Sequence, residues 1–179
     1  GAPKGASKEE ISIAFYPSGQ MQRFTSKSYQ SDLESTLSIT IDEIGLLKTV
    51  VQTEGDTLET TTYYVQSSQV KSIQHHRIMN DGKIMDGHFA NYYENGMMSK
   101  EMMYENGLLN GNVIYYDIFG NTKKYETYKN DIKDGLFQFY MPEVIGGLED
   151  KVYLQEEVNY VDGNYEGMHR TWEFVEGVT

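Results

Sequence analysis

Residues 104–120 read YENGLLNGNVIYYDIFG, and the glycines of this stretch, two of them preceded by Asn, raise the question of what they are for. Asn-Gly steps occur in tight hairpin turns, which need φ > 0, and glycine-rich loops also cradle phosphate groups. A phosphate loop needs the N-terminus of a helix and usually a nearby lysine. Here a β-branched and aromatic run follows, and the next lysine is Lys123. The stretch therefore predicts turns.

The same pattern returns along the chain with a period of 24 residues. The steps from Gly87 to Gly111 and from Gly111 to Gly135 are both 24 residues, and the next step, to Gly167, is 32. Twenty-four residues accommodate two strands of about seven residues each with short turns. Each unit is therefore predicted to be a β-hairpin. The extra residues fall in MPEVIGGLED (141–150), where Pro142 and two glycines predict a lengthened turn.

Composition supports an all-β fold. The chain of 179 residues contains 15 Tyr, 7 Phe and 1 Trp but only 3 Pro, and aromatic residues favour pleated, half-buried strands. Ser31 and Glu34 have the spacing of a helix capping box. The following LSITI (37–41) alternates with period two, which favours a strand over a helix there.

Four segments share a glycine that is followed by an aromatic residue at a fixed distance: DGHFANYYENG (86–96), NGNVIYYDIFG (110–120), DGLFQFYM (134–141) and EGMHRTWEFVEG (166–177). Between them lie YENGLLNG (104–111), YKNDIKDG (128–135) and YVDGNYEG (160–167). This combination resembles the MORN repeat and is more similar to its bacterial variant. The resemblance implies an elongated, twisted antiparallel sheet of consecutive hairpins. It also implies protein association, since some bacterial variant proteins are labelled antitoxins.

The resemblance divides the chain into three parts. Residues 79–179 carry the clear repeats, and residues 1–10 are predicted to be a flexible tail. Residues 11–78 resemble the repeats weakly: FYPSGQM (15–21) has the shape of YYENGMM (92–98). This part is predicted to hold degenerate repeats, which either continue the sheet or fold back to cap it.

The net charge of −12 opposes binding to nucleic acid or to an anionic membrane surface. A basic protein partner fits this charge better, although a solvated acidic surface is the alternative. Cysteine is absent, and no apolar run is long enough for a transmembrane helix. The start GAPKGASKEE suggests a scar left after removal of a targeting segment, so we expect export to a bacterial envelope, with the cytoplasm as the alternative.

No motif calls for catalysis, a metal or a cofactor. His75 and His76 are adjacent, so on a strand they point to opposite faces and cannot share a metal. His88 and His169 occupy similar places in separate repeats, too far apart to converge. The segment NDGKIMDG (80–87) lacks the ligand spacing of a calcium loop, and no nucleophile motif is present. We therefore expect a binding protein rather than an enzyme.

Aromatic residues are the predicted working surface. The aromatic residues of both strands of the hairpins are expected to stack as a ladder between hairpins; they are Tyr92, Tyr116, Tyr140 and Trp172 on the first strands and Tyr104, Tyr128 and Tyr160 on the second. Exposed aromatic rings can instead contact a protein partner, or stack on sugars in a glycan-binding module at the envelope. The candidate partner-binding residues are Tyr92, Tyr116, Tyr140 and Trp172. The predicted structural turn glycines are Gly87, Gly96, Gly107, Gly111, Gly120, Gly135 and Gly167.

Overall fold

The computed structural model describes residues 8–30, 33–145, 148–167 and 169–172, and these residues form β-strands and short connections. The strands are β1 (Lys8–Phe15), β2 (Met21–Gln30), β3 (Leu33–Ile41), β4 (Leu47–Glu54), β5 (Thr57–Tyr63), β6 (Val70–Met79), β7 (Gly82–Tyr92), β8 (Met98–Glu105), β9 (Leu108–Tyr116), β10 (Thr122–Lys129), β11 (Ile132–Lys133), β12 (Gly135–Ile145), β13 (Leu148–Val161), β14 (Asn164–Tyr165) and β15 (Arg170–Thr171).

All of these strands belong to one open antiparallel sheet built from consecutive hairpins. The strands β1 to β10, then β12, β13 and β14, lie side by side in chain order, while β11 pairs with β10 and β15 with β13. The all-β prediction is therefore confirmed. Strands β1 to β6 continue the sheet of the clear repeats. In the described part of the chain no helix is long and apolar enough to cross a membrane.

The eight extra residues of the last full repeat lengthen the strands. We predicted a longer turn at 141–150, but β12 and β13 continue to pair as far as Ile145 and Leu148. Gly146 and Gly147 lie outside the described residues. The reason is that two arms rich in β-forming residues gain ladder hydrogen bonds by pairing, which a loop of the same length would leave to water.

The hairpins are joined at one side of the sheet by tight two-residue turns. Asn106 and Gly107 both have positive φ, at 51° and 86°, as the mirror-image turns of hairpins require. Each turn also bonds to the hairpin before it. The amide of Gly107 donates to the carbonyl of Met85 at 2.8 Å, and that of Asp131 donates to Leu109 at 2.9 Å. These bonds tie neighbouring hairpins together beyond the strand ladder.

Wider turns join the strands at the other side of the sheet, and three of those described begin with a tyrosine whose hydroxyl bonds to a neighbouring hairpin. The hydroxyl of Tyr16 donates to the carbonyl of Ile41 at 2.9 Å, and Tyr93 donates to Tyr116 at 2.8 Å. Tyr64 makes the equivalent bond to Tyr92 at 2.8 Å. The same device thus operates in the weak N-terminal units and in the clear repeats.

Three of the predicted turn glycines lie inside strands instead. Gly96, Gly107 and Gly120 are in connections, and Gly167 follows β14. Gly87, Gly111 and Gly135 have φ of 104°, 99° and 118° and pair with Tyr104, Tyr128 and Tyr160 of the next strand in the sheet. Their positive φ accompanies bulges or breaks in the ladder, and each is paired with a tyrosine rather than with another small residue.

Side chains alternate between two faces of the sheet. The first, which we call the aromatic face, carries Phe89, Val113 and Phe137, each at most 7 % exposed. The Phe89 ring lies 4.8 Å from that of Tyr104, and the Phe137 ring lies 4.8 Å from Tyr160 and 5.6 Å from Tyr128, all edge to face. Tyr104, Tyr128 and Tyr160 thus pack against phenylalanines, which stabilises neighbouring strands.

A buried carboxylate completes the aromatic face. Glu126 is 4 % exposed, and the ammonium of Lys124 lies 2.6 Å from its carboxylate. Burial, followed by the neighbouring Glu126, raises the pKa of Tyr115 to about 12. Lysines lie over the rings: Lys100 is 4.8 Å from the Tyr115 centroid, and Lys133 is 4.7 Å from that of Tyr160. Their stems cover apolar surface in a sheet with no second layer among its described residues.

Candidate functional site

The structure brings three of the four predicted aromatic residues into one row. Tyr92 and Tyr116 end the first strands of two successive hairpins, and Tyr140 takes the same repeat position within β12, five residues before that strand ends. The three pair with Met98, Thr122 and Leu154. They lie on the face opposite to Phe89 and Phe137, which we call the groove face. Trp172 follows β15 and is 40 % exposed. The tyrosines are half-buried, so their rings form part of the sheet surface.

The tyrosine row has counterparts in the N-terminal hairpins. The match of FYPSGQM (15–21) to YYENGMM (92–98) indicated Phe15 as one of them, but the sequence did not reveal Ile41 and Tyr63. Phe15, Ile41 and Tyr63 pair with Met21, Leu47 and Val70 in the same way, with the ladder bulge at the same place. The available signals were Gly19 and Gly45, which occupy the position of the wide-turn glycines. These two glycines were not recognised as repeat positions because the spacing of the N-terminal units varies.

The hydroxyls of Tyr116 and Tyr140 are bound within the sheet. Tyr116 donates to Oε1 of Glu101 at 2.5 Å, and Nε2 of His88 lies 3.1 Å from Oε2 of the same carboxylate. Burial, with the bond to Glu101, raises the pKa of Tyr116 to about 12. Tyr140 donates to Oε1 of Gln138 at 2.9 Å. The row therefore offers mainly ring surface to a ligand.

A groove of about 610 Å³ crosses the same face over β2 to β7. Cross-strand pairing arranges its side chains in two rows. The first row contains Ser26, Leu37, Gln52, Glu59 and His75, and the second contains Ser28, Ser35, Glu54, Thr57 and Arg77. Hydroxyl, amide and carboxylate groups dominate this lining, so the groove suits a ligand that brings hydrogen-bond donors or positive charge.

Charged pairs line the end of the groove near β7. Nε2 of His75 lies 3.1 Å from Oε2 of Glu59, and the guanidinium of Arg77 bonds to Asp86. The backbone N–H of Asn106 and then Arg77 hold the pKa of Asp86 below its usual range. A smaller depression of about 270 Å³ follows, lined by His88, Glu101, Met102, Met103, Asn112 and Ile114. Three of these six residues are apolar, so the surface becomes mixed towards the tyrosine row.

The adjacent histidines lie on opposite faces of the sheet, as the sequence predicted, but one contact between histidines was not expected. His75 and His76 face opposite sides of the sheet: His75 lies in the groove, while the His76 ring packs 5.3 Å from that of Phe89. Burial, then Lys83 and His75, lowers the pKa of His76. The sequence did not reveal that His75 and His88 are neighbours, joined by a 2.5 Å contact from Nδ1 of His75 to the carbonyl oxygen of His88.

The described residues contain no group of three or more histidines and carboxylates arranged to hold a metal ion. His169 pairs with Glu156 at 2.7 Å, and Arg170 pairs with Glu157 at 3.0 Å. Both pairs involve β13, at the C-terminal end of the sheet and well separated from the groove in strand order. They are two-membered contacts rather than a cluster.

Comparisons with known proteins give no family for this chain. No protein-family model matches it, and no curated protein matches it either. The resemblance to MORN-type repeats therefore rests on the glycines, tyrosines and spacing of the sequence itself.

Proposed function

We propose that the protein is a non-catalytic repeat scaffold that binds a basic protein partner along its groove face. The observation that carries this proposal is the continuity of that face. One sheet presents the polar groove of β2 to β7 and the row formed by Tyr92, Tyr116 and Tyr140, with no break in strand order between them. A long single face with repeated contacts suits an extended partner.

The charge of the groove face supports a basic partner. Its arginines, Arg77 and Arg170, are each paired with a carboxylate of the same face. The whole chain carries a net charge of −12, which attracts cationic partners and repels polyanions. The carboxylates on the groove face include Glu9, Glu54, Glu59, Asp86, Glu101 and Glu157.

The aromatic row supports a protein partner more than a glycan. Tyr92, Tyr116 and Tyr140 are half-buried, and the Tyr116 hydroxyl is bound to Glu101. Half-buried rings beside carboxylates are typical of protein interfaces, where tyrosine is enriched among the residues that carry the binding energy. By contrast, sugar stacking needs open rings, a condition that Trp172 meets at 40 % exposure. Glycan binding at Trp172 is therefore the second proposal.

The biological setting belongs to the same proposal. An assembly or antitoxin-like role follows from the resemblance to bacterial MORN-variant proteins, because binding a partner protein underlies both roles. We place the protein in a bacterial envelope, either periplasmic or at the surface, and keep the cytoplasm as the alternative. The partner of an antitoxin-like protein in the envelope would have to be exported too.

Capture from an envelope fraction tests the main proposal. The bait is the wild-type chain, compared with a triple variant in which Tyr92, Tyr116 and Tyr140 are changed to Ala. Tyr29→Ala, on the aromatic face, is the matched control. We expect a basic protein that is captured by wild type and by the control but lost from the triple variant, and that binds again when both proteins are purified.

Two outcomes would contradict the proposal. If the triple variant keeps its wild-type circular dichroism and retains the same partner with the same affinity, the tyrosines take no part in binding. If purified wild type binds oligosaccharides on a glycan array and Trp172→Ala abolishes this, while no protein is captured, the glycan proposal replaces the main one.

A further inference from the structure

Both ring nitrogens of His75 face hydrogen-bond acceptors. Nδ1 lies 2.5 Å from the carbonyl oxygen of His88, and Nε2 lies 3.1 Å from Oε2 of Glu59. A neutral imidazole carries one N–H, so it can donate to one of these acceptors while presenting a lone pair to the other. The two contacts are satisfied together when the ring carries two protons. A second proton on the ring would place a positive charge beside Glu59.

A second carboxylate in the groove has no such neighbour. Glu54 makes no side-chain hydrogen bond or ion pair among the described residues, although its backbone carbonyl accepts from Thr57. Glu54 pairs with Thr57 while Gln52 pairs with Glu59, so the two carboxylates are diagonal neighbours on adjacent strands. Diagonal neighbours are about 7–8 Å apart, a span that one cationic group can bridge.

The other charges around His75 are already balanced. From β7, Asp86 is paired with Arg77, and His88 is paired with Glu101. On β6 itself, His76 lies on the aromatic face and Arg77 is held by Asp86. From β5 the facing charge is Glu59, and from β4 it is Glu54. The groups left to respond to an added cation are therefore His75, Glu59 and Glu54.

We propose that the groove binds the ammonium or guanidinium group of a basic partner segment between Glu54 and Glu59, and that this cation competes with the second proton of His75. When His75 is neutral with its single proton on Nδ1, towards the carbonyl of His88, the oxygen of Glu59 that faces Nε2 lacks a donor, and an external cation supplies one. This inference deepens the proposed function and rests on it for the identity of the ligand as part of a protein.

The direction of the coupling follows from competition for Glu59. Protonated His75 and the bound cation exclude one another, so the affinity for the cation rises as pH rises through the titration of His75. By reciprocity, the bound cation makes His75 release its second proton at lower pH. Acidification therefore releases a basic partner.

The test uses hexalysine peptide as the probe, with its fully acetylated form as the uncharged comparison, at physiological ionic strength. NMR of the imidazole resonances follows the titration of His75 with and without peptide, and calorimetry gives Kd on either side of that titration. We expect hexalysine to move the titration of His75 to lower pH and its Kd to be at least about five-fold smaller on the basic side.

Variants separate a specific site from general attraction. Glu59→Gln and Glu54→Gln should each weaken hexalysine binding, and Glu59→Gln should also remove its pH dependence. His75→Gln should keep binding while losing the pH dependence. Glu94→Gln is the matched control, because it changes the net charge equally at an exposed turn on the opposite side of the sheet and should leave Kd unchanged.

The proposal is overturned if hexalysine leaves the titration of His75 in place, a result that needs no variant and so survives any folding defect. It is also overturned if Glu94→Gln weakens binding as much as Glu59→Gln. Failure of this groove-site inference can be distinguished experimentally from failure of the proposed function. Coupling without any captured protein partner would refute the scaffold proposal alone, whereas a captured partner that ignores Glu54 and Glu59 would refute the groove site alone.

Discussion

Asp117 shows how one residue completes a turn of this sheet. The side chain is 8 % exposed, and its Oδ1 accepts from the amides of Phe119 at 2.9 Å and Asn121 at 2.8 Å. Burial acts to raise the pKa of this carboxyl, but the hydrogen bonds from Asn121, Phe119 and Gly120 outweigh it and hold the pKa below its ordinary value. The ionised form is thus the one that stabilises the turn.

Asp117→Ala should therefore reduce the free energy of unfolding by about 1–3 kcal/mol at neutral pH, because buried turn amides lose their acceptor. The lowered pKa means that this stability is present above the ordinary value of 3.8 and is lost as pH falls through the lower value of the folded state. Urea unfolding as a function of pH should show wild type and variant converging in acid.

Asn95→Ala provides the neutral control for this prediction. Asn95 accepts from the amide of Met97 at 3.0 Å in the preceding wide turn, but it does not titrate. Its loss should have the same effect at every pH of the series. If the free energies of unfolding of wild type and Asp117→Ala differ by the same amount down to strongly acidic pH, the role given to the ionised carboxylate is wrong.

The strand glycines make a graded prediction possible. Gly111 and Gly135 have similar φ, at 99° and 118°, but different space around them. A Cβ on Gly135 would lie 3.1 Å from Cβ of Thr127, whereas the nearest atom at Gly111 is Cβ of Met103 at 4.0 Å. Both alanine variants should be destabilised by about 1–2 kcal/mol of backbone strain. Gly135→Ala should lose more stability than Gly111→Ala, because its new Cβ also clashes with Thr127. Equal urea midpoints of the two variants would rule out this clash.

At the scale of elements, β10, β12 and β13 are held together by the ring of Phe137. This ring is 2 % exposed and packs edge to face between Tyr128 and Tyr160. Such contacts cross strand boundaries, so they compensate for the absence of a second layer among the described residues. The strand that depends most on these ring contacts is β12, which carries Phe137. Its hairpin partner β13 leads to the short strands at the end of the sheet.

Phe137→Ala should lower the free energy of unfolding by about 3–5 kcal/mol, since it leaves a cavity between two tyrosine rings. Phe119→Ala is the matched control, because Phe119 is 61 % exposed in a turn and should change stability by no more than about 0.5 kcal/mol. Thermal and urea unfolding of both variants measure the difference. Similar losses in the two variants would show that the ring ladder is not the main packing contact.

At the scale of the whole molecule, each strand contacts its neighbours in the sheet and little else. The fully buried residues among those described all lie at or beyond Thr61, and the most buried are Ala90, Val113 and Phe137. Stability in such a serial array is approximately a sum of local terms. The β7 to β13 region should therefore be more stable than β1 to β4, where the groove begins.

Hydrogen exchange tests this gradient. Backbone amides in β9 should exchange much more slowly than those in β2, because β2 lies next to the fully exposed edge strand β1. Phe137→Ala should accelerate exchange in β10, β12 and β13 while leaving β2 unchanged. Uniform acceleration across the sheet would indicate a single cooperative unit instead of a serial one.

The sequence alone determined the hairpins, because turns depend on residues that are adjacent in the chain. Asn and Gly tolerate the positive φ that the tight turn at Asn106 and Gly107 requires, and period-two alternation places His75 and His76 on opposite faces. The common row of Tyr92, Tyr116 and Tyr140 followed from the 24-residue period. The prediction of a lengthened turn at 141–150, which rested on proline and glycine, was wrong because the two arms pair as strands.

Tertiary structure decided what the chain brings together across strands. Gly111 faces Tyr128, and His75 meets both Glu59 and the carbonyl of His88, because pairing register and bulges set which residues become neighbours. The turns set the register beside each turn, but bulges such as those at Gln74/His76 and Thr122/Lys124 shift the pairing further along the strands, and no local pattern specifies them. The groove and its competing charges exist only once the strands are aligned.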